Sequence, residues 1–139
     1  LLLPGSRKQE VHTHVPIMAE ALKLIKASMP HDSELRAVML TLPPMAQELR
    51  GLMAQQQLPG GVCVDIATAS TVQERVRAML GHTCALAVSG SVTMELVAAQ
   101  VPAVIMYRAN WLTAVIAKRI AAVKHVGLPN LLLGRTLVP

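Results

Sequence analysis

Five short runs of nearly continuous apolar character restrict this chain more than any other feature: Leu1 to Leu3, Leu35 to Leu40, Val62 to Ile66, Cys84 to Val88 and Ala103 to Met106. A strand with one face in water alternates polar and apolar residues, whereas a strand covered on both faces does not. The runs therefore predict buried strands with helices on either side. The stretches between them carry the helical period. Val11, Val15, Met18, Leu22 and Ile25 recur at spacings of three and four, with Pro16 admissible only in a first turn and Pro30 ending the helix. Thr41 with Pro43 and Pro44 signals a helix start before Met45 to Gln57, closed by Gly60 and Gly61. Ser70 with Gln73 and Thr71 with Glu74 are overlapping capping boxes for a helix reaching Leu80. Further helices are expected over Val92 to Gln100 and Trp111 to Ala122. Strand and helix alternate throughout, which predicts a parallel sheet with right-handed crossovers.

A chain of 139 residues fits one domain and one core, and 53% hydrophobic against 15% charged residues excludes disorder. Aromatic residues make up 1%, with no Phe, so the core is expected to be aliphatic and filled with Met, and stacking platforms for nucleic-acid bases are excluded. A net charge of +5 favours an anionic partner. No apolar run reaches the length of a membrane span, and Leu1 to Leu3 before Pro4 does not read as a signal peptide. Cys63 and Cys84 stand singly in apolar runs and are expected to be buried thiols of a reducing compartment. His12 and His14 are expected at the surface, because no third metal ligand accompanies them. The chain opens without Met and ends without a closing helix, so both ends are expected to be cut from something longer.

Ligands of open parallel sheets bind beyond the carboxyl ends of the strands, where loops lead into helices. Two such loops carry anion-binding chemistry. Leu3-Pro4-Gly5-Ser6-Arg7 joins a glycine to a cation, and reads either as an anion clamp or as an ordinary turn with a surface arginine. Val88-Ser89-Gly90-Ser91 leads into a helix whose first N–H groups and dipole suit a diphosphate. Glu95 lies about one turn further on, where its carboxylate either accepts from a ribose diol or complements the helix dipole. Neither GxxxxGK[ST] nor GxGxxG is present, which disfavours a nucleoside triphosphatase or a dehydrogenase.

Taken together, Leu3-Pro4-Gly5-Ser6-Arg7 with Glu10, Ser89-Gly90-Ser91 through Glu95-Leu96, Tyr107-Arg108, and Leu128-Pro129-Asn130-Leu131-Leu132 with Gly134-Arg135 resemble the C-terminal domain of the lipid-A-disaccharide synthase family. Order and spacing agree along essentially the whole chain, and the Leu-Pro-Asn-Leu-Leu segment is the most distinctive part. The resemblance implies an α/β, Rossmann-like parallel sheet with helices on both faces, one half of a GT-B glycosyltransferase, with 1–139 as a single nucleotide-sugar-binding domain. It implies transfer of 2,3-diacylglucosamine from UDP-2,3-diacylglucosamine to lipid X, giving the lipid A disaccharide precursor and UDP. Arg7 and Asn130 are implied as catalytic, and Gly5, Ser6, Arg7, Ser89, Gly90, Ser91 and Glu95 as the UDP site. The general base is implied to lie in an N-terminal domain outside this sequence. No metal or other cofactor is implied, and the sequence has no Asp-x-Asp pair. The implied location is cytoplasmic and peripheral, at the inner face of a bacterial inner membrane, or organellar in a eukaryote.

One departure from the family pattern is Ser91-Val92-Thr93-Met94 in place of a Gly-Thr-Ala-Ala-type run, so a Cβ at residue 91 is expected to narrow the phosphate approach. The helix from Trp111, with Lys118, Arg119 and Lys124, either packs its apolar side on the sheet or touches acidic lipid. Two other readings share these loops. One is a related UDP-sugar enzyme such as a UDP-N-acetylglucosamine 2-epimerase, distinguished by its product. The other is a non-catalytic fragment of the fold, distinguished by UDP binding without transfer.

Overall fold

A computed structural model of the chain describes residues 1–106 and residue 108. The helix expected from Trp111 and the segment holding Asn130 lie outside the described residues. The elements in order are β1 (Leu2–Leu3), α1 (Lys8–Ala27), β2 (Leu35–Thr41), α2 (Ala46–Ala54) entered through a 3-10 turn at Pro43–Met45, β3 (Val62–Thr68), α3 (Val72–Met79), β4 (Ala85–Val88), α4 (Val92–Ala98) and β5 (Ala103–Met106). All strand pairs are parallel and the sheet order is β3-β2-β1-β4-β5. The apolar runs thus become the strands of a Rossmann-like α/β sheet. Strand order reverses between β1 and β4, and that boundary positions the site.

Alternate residues of the central strands feed opposite cores, because successive side chains of a strand point to opposite faces. Leu1 and Leu3 join Leu40, Ala85 and Ala87 against Met79 of α3 and Leu96 of α4. Leu2 joins Ala37, Met39 and Val88 against Val11, Val15, Met18 and Leu22 of α1 and Leu49 of α2. Met18, Met39 and Met79 are fully buried, and their unbranched side chains fill the space that aromatic rings occupy in other cores. Central position explains how the two-residue β1 holds its place: Leu2 pairs with Met39 on one side and Leu86 on the other.

The structure corrects three expectations. Pro16 lies in the interior of α1 rather than in its first turn. Its missing N–H and ring clash cost about 3 kcal/mol. Buried Val11, Val15, Met18, Ala19 and Leu22 flank it on both sides; each large apolar side chain among them contributes about 2 kcal/mol of burial, enough to carry the helix through. Second, α2 ends at Ala54 and α4 at Ala98, short of Gln57 and Gln100. Third, both cysteines are exposed. Cys63 sits on β3, one of the two outer strands among the described residues, in a stretch of exposed and half-buried residues; Cys84 lies in the loop just before β4.

Candidate functional site at the strand-order reversal

Because β1 and β4 are neighbours, with Leu3 in register with Ala87, the turns that follow them open side by side. With the end of β2 and parts of α3 and α4 they line a cleft of about 360 Å³. Gly5, Ser6, Arg7, Ser89, Gly90, Ser91 and Glu95 all face this cleft. The structure therefore gathers every expected site residue that lies within the described part of the chain. Arg7 is exposed rather than buried away from the Gly90 turn.

The turn after β1 is built around Glu10. Gly5 has φ +109, and a Cβ there would lie 2.7 Å from both Cβ and Oε2 of Glu10, so this position requires glycine twice over. The N–H groups of Ser6 and Arg7 donate to Glu10 Oε2 at 3.1 and 3.2 Å, and Arg7 Nη1 donates to Oε1 at 2.8 Å. Burial alone pushes the Glu10 carboxyl upward, but the Arg7 guanidinium and the two N–H groups outweigh it and hold the carboxyl below its ordinary range. This loop does clamp an anion, and the anion is its own glutamate.

The turn after β4 closes on itself instead. Thr93, buried, donates from Oγ1 to the Gly90 carbonyl at 2.7 Å and from its N–H to the same oxygen at 3.2 Å. Gly90 has no left-handed backbone, and nothing lies within 4 Å of where its Cβ would stand. The side chain of Ser91 caps no helix N–H. Glycine serves here to leave space.

Arg75, which the sequence reading missed, also faces the cleft. Its Nε and Nη2 donate to Glu95 Oε2 and Oε1 at 2.8 and 2.7 Å, joining α3 to α4. These hydrogen bonds raise the Arg75 guanidinium further above its ordinary value. The Thr71–Glu74 capping box that starts α3 is the only local signal nearby, and it says nothing about a partner 20 residues on. The cleft's guanidiniums, Arg7 and Arg75, are thus each matched by a carboxylate. Thr41, at the end of β2, adds a buried hydroxyl with no hydrogen-bond partner among the described residues. Such a group is costly unless something supplies a partner.

His14 is buried, contrary to expectation. Its Nδ1 lies 2.7 Å from the Glu10 carbonyl, and the Arg108 N–H donates to its Nε2 at 3.2 Å. His12 remains exposed, paired with Glu48, which also takes Lys8. Among the described residues no three His, Cys, Asp or Glu side chains gather as metal ligands, and no helix is long and apolar enough to cross a membrane.

The family described as lipid-A-disaccharide synthetase matches residues 1–139. The lipid-A-disaccharide synthase of Ruegeria pomeroyi is 36% identical over 143 residues, covering 100% of this chain and 34% of the relative. That of Gluconobacter oxydans is 32% identical over 139 residues, covering 100% of this chain and 31% of the relative. A probable lipid-A-disaccharide synthase, mitochondrial, of Arabidopsis thaliana is 30% identical over 138 residues, covering 99% of this chain and 29% of the relative. The chain spans about a third of the length of these curated relatives. With the match running from the β1 turn through the Asn130 segment, the chain belongs to the lipid-A-disaccharide synthetase family.

Proposed function

We propose that this chain supplies the UDP-sugar donor site of a hexosyltransferase that moves 2,3-diacylglucosamine from UDP-2,3-diacylglucosamine to the 6-hydroxyl of lipid X, releasing UDP. One observation carries the reading: the turns after β1 and β4 converge on a single cleft at the strand-order reversal, with open space over Gly90. The family and the names of the relatives support the same activity.

In this mechanism the diphosphate seats over Gly90, with the Ser91 hydroxyl and the backbone of the turn beside it. Arg7, exposed at the end of a long side chain, exchanges the Glu10 carboxylate for a phosphate oxygen. As the glycosidic bond breaks, negative charge grows on UDP, and a guanidinium fixed at that point stabilises the leaving group. Glu95 accepts from the ribose, and Asn130 acts in the same cleft. The base that takes the acceptor's proton belongs to the remainder of the protein. Acylated substrates place the enzyme peripherally at the cytoplasmic face of a bacterial inner membrane, or in an organelle in a eukaryote.

Arg7→Ala and Asn130→Ala in the full-length gene product are expected to lower transfer to lipid X by about 10²- to 10³-fold with the circular dichroism spectrum unchanged. Wild-type turnover in both variants removes their assigned roles. UDP is expected to shift the amide signals of Gly90 and Glu95.

A further inference from the structure

Arg75 and Glu95 form a bidentate pair with side chains only 21% and 13% exposed, at the wall of the cleft. As a stability device such a pair is a poor choice, because desolvation of both ions offsets their attraction. As a device for orientation it is a good one. The guanidinium is a rigid planar fork, and two parallel hydrogen bonds fix the plane of the carboxylate as well as its position. Glu95 comes from α4 and Arg75 from α3, so the carboxylate is braced from outside its own helix.

An ionised carboxylate only accepts, and offers about four lone-pair directions. The Arg75 fork takes one on each oxygen. One remains on each oxygen; with the inner directions held by the fork, these two diverge to opposite sides of the carboxylate, so each can accept from one hydroxyl and not from both hydroxyls of a diol. The geometry points to Arg75 as a positioning residue for ribose recognition: it holds the Glu95 carboxylate so that one of its remaining lone pairs accepts from the 2′-hydroxyl of the UDP ribose. The inference rests on the reading of the cleft as a UDP site. Lysine cannot take over the role, because a single ammonium gives a charge without the fork.

The test is calorimetric titration of the full-length protein with UDP and with 2′-deoxy-UDP, for wild type, Arg75→Lys and Glu95→Gln. Wild type is expected to prefer UDP about tenfold, the contribution of one hydrogen bond to a charged acceptor. Both variants are expected to bring the preference to about twofold or less through weaker UDP binding, with 2′-deoxy-UDP affinity retained. Arg75→Lys that keeps the preference, or weakens both nucleotides alike, overturns the role of Arg75 and leaves the ribose contact of Glu95 standing. Glu95→Gln that keeps the preference overturns that contact and the positioning role with it. Absence of UDP binding by wild type overturns the cleft reading itself. Should Arg75→Lys fail to fold, the Nε–H signal of Arg75 in the wild-type NMR spectrum decides. It is expected to move with UDP and much less with 2′-deoxy-UDP, and an unmoved signal with both overturns the inference.

Discussion

The turns that leave β1 and β4 look alike as sequence, each a strand end followed by glycine, serine and a helix, and they use glycine for opposite reasons. At Gly5 the backbone is left-handed and the side-chain direction is already filled by Glu10. At Gly90 the backbone is ordinary and the side-chain direction is empty. The first glycine serves the fold, since it lets the chain bend sharply enough for Glu10 to reach back to two N–H groups. The second leaves open the space that its side chain would fill. One motif read twice along a chain therefore divides into a half whose glycine the backbone requires and a half whose glycine leaves space, and only the surroundings of the missing Cβ tell them apart.

Alanine at the two positions separates them most sharply. Gly5→Ala meets both a forbidden φ and a collision with Glu10, and is expected to cost about 3 kcal/mol in a urea melt. Against a typical net stability of about 5–15 kcal/mol, that is a large fraction. Gly90→Ala is expected to change stability by less than about 0.5 kcal/mol while weakening UDP binding about tenfold, because its methyl enters the open space. A Gly90→Ala protein that unfolds early, or one that binds UDP as wild type does, erases the distinction.

The strands and the cleft were legible in the sequence because both rest on local signals. Unbroken apolar runs specify burial on two faces, and parallel strands put their following loops at one end. What escaped notice depends on partners distant along the chain. His14 is buried and accepts from the Arg108 N–H, 94 residues away, and no spacing around His14 announces that contact. Cys63 is exposed because β3 ended up outermost, a property of strand order that the residues of β3 do not carry. Arg75 looked like any helical arginine until α3 packed against α4. The Glu10 cap went unread for a different reason: the residue at its helix start is Arg7, which lacks the hydroxyl that makes Thr71 and Glu74 recognisable.

A smaller effect tests the occupied turn through pH. The Glu10 carboxyl is held below its ordinary value of 4.5 in the folded chain. A carboxyl with a lowered folded pKa contributes stability that is fully present above its unfolded pKa and is lost as pH falls through the folded one. Glu10→Gln keeps the shape of the cap and loses its charge, so it is expected to cost about 1 kcal/mol at neutral pH. The deficit relative to wild type should shrink as pH falls below 4.5. The same change releases Arg7 from its internal partner, and UDP is expected to bind several-fold tighter at neutral pH. A deficit that stays constant down to acid pH shows that the Glu10 charge contributes nothing to the turn.

The smallest effect isolates the backbone share of the Gly5 penalty. Gln100 is the one described residue other than glycine with positive φ, at 55°. It follows α4, and its N–H donates to the Val97 carbonyl while that of Val101 donates to Leu96, the pairing of a left-handed helix end. Gln100 is exposed, so replacing it removes little packing. Glycine relieves the left-handed strain, about 1 kcal/mol, but also loosens the unfolded chain, and the two leave a net gain of about 0.5 kcal/mol. The change should appear as a higher urea midpoint at constant slope. Because Gln100 carries the unusual φ without the crowding that Glu10 imposes, this gain, once the unfolded-chain contribution is added back, measures what a left-handed φ costs here. If Gln100→Gly instead lowers the midpoint, left-handed backbone is cheap in this chain, and the whole penalty at Gly5 belongs to the collision with Glu10.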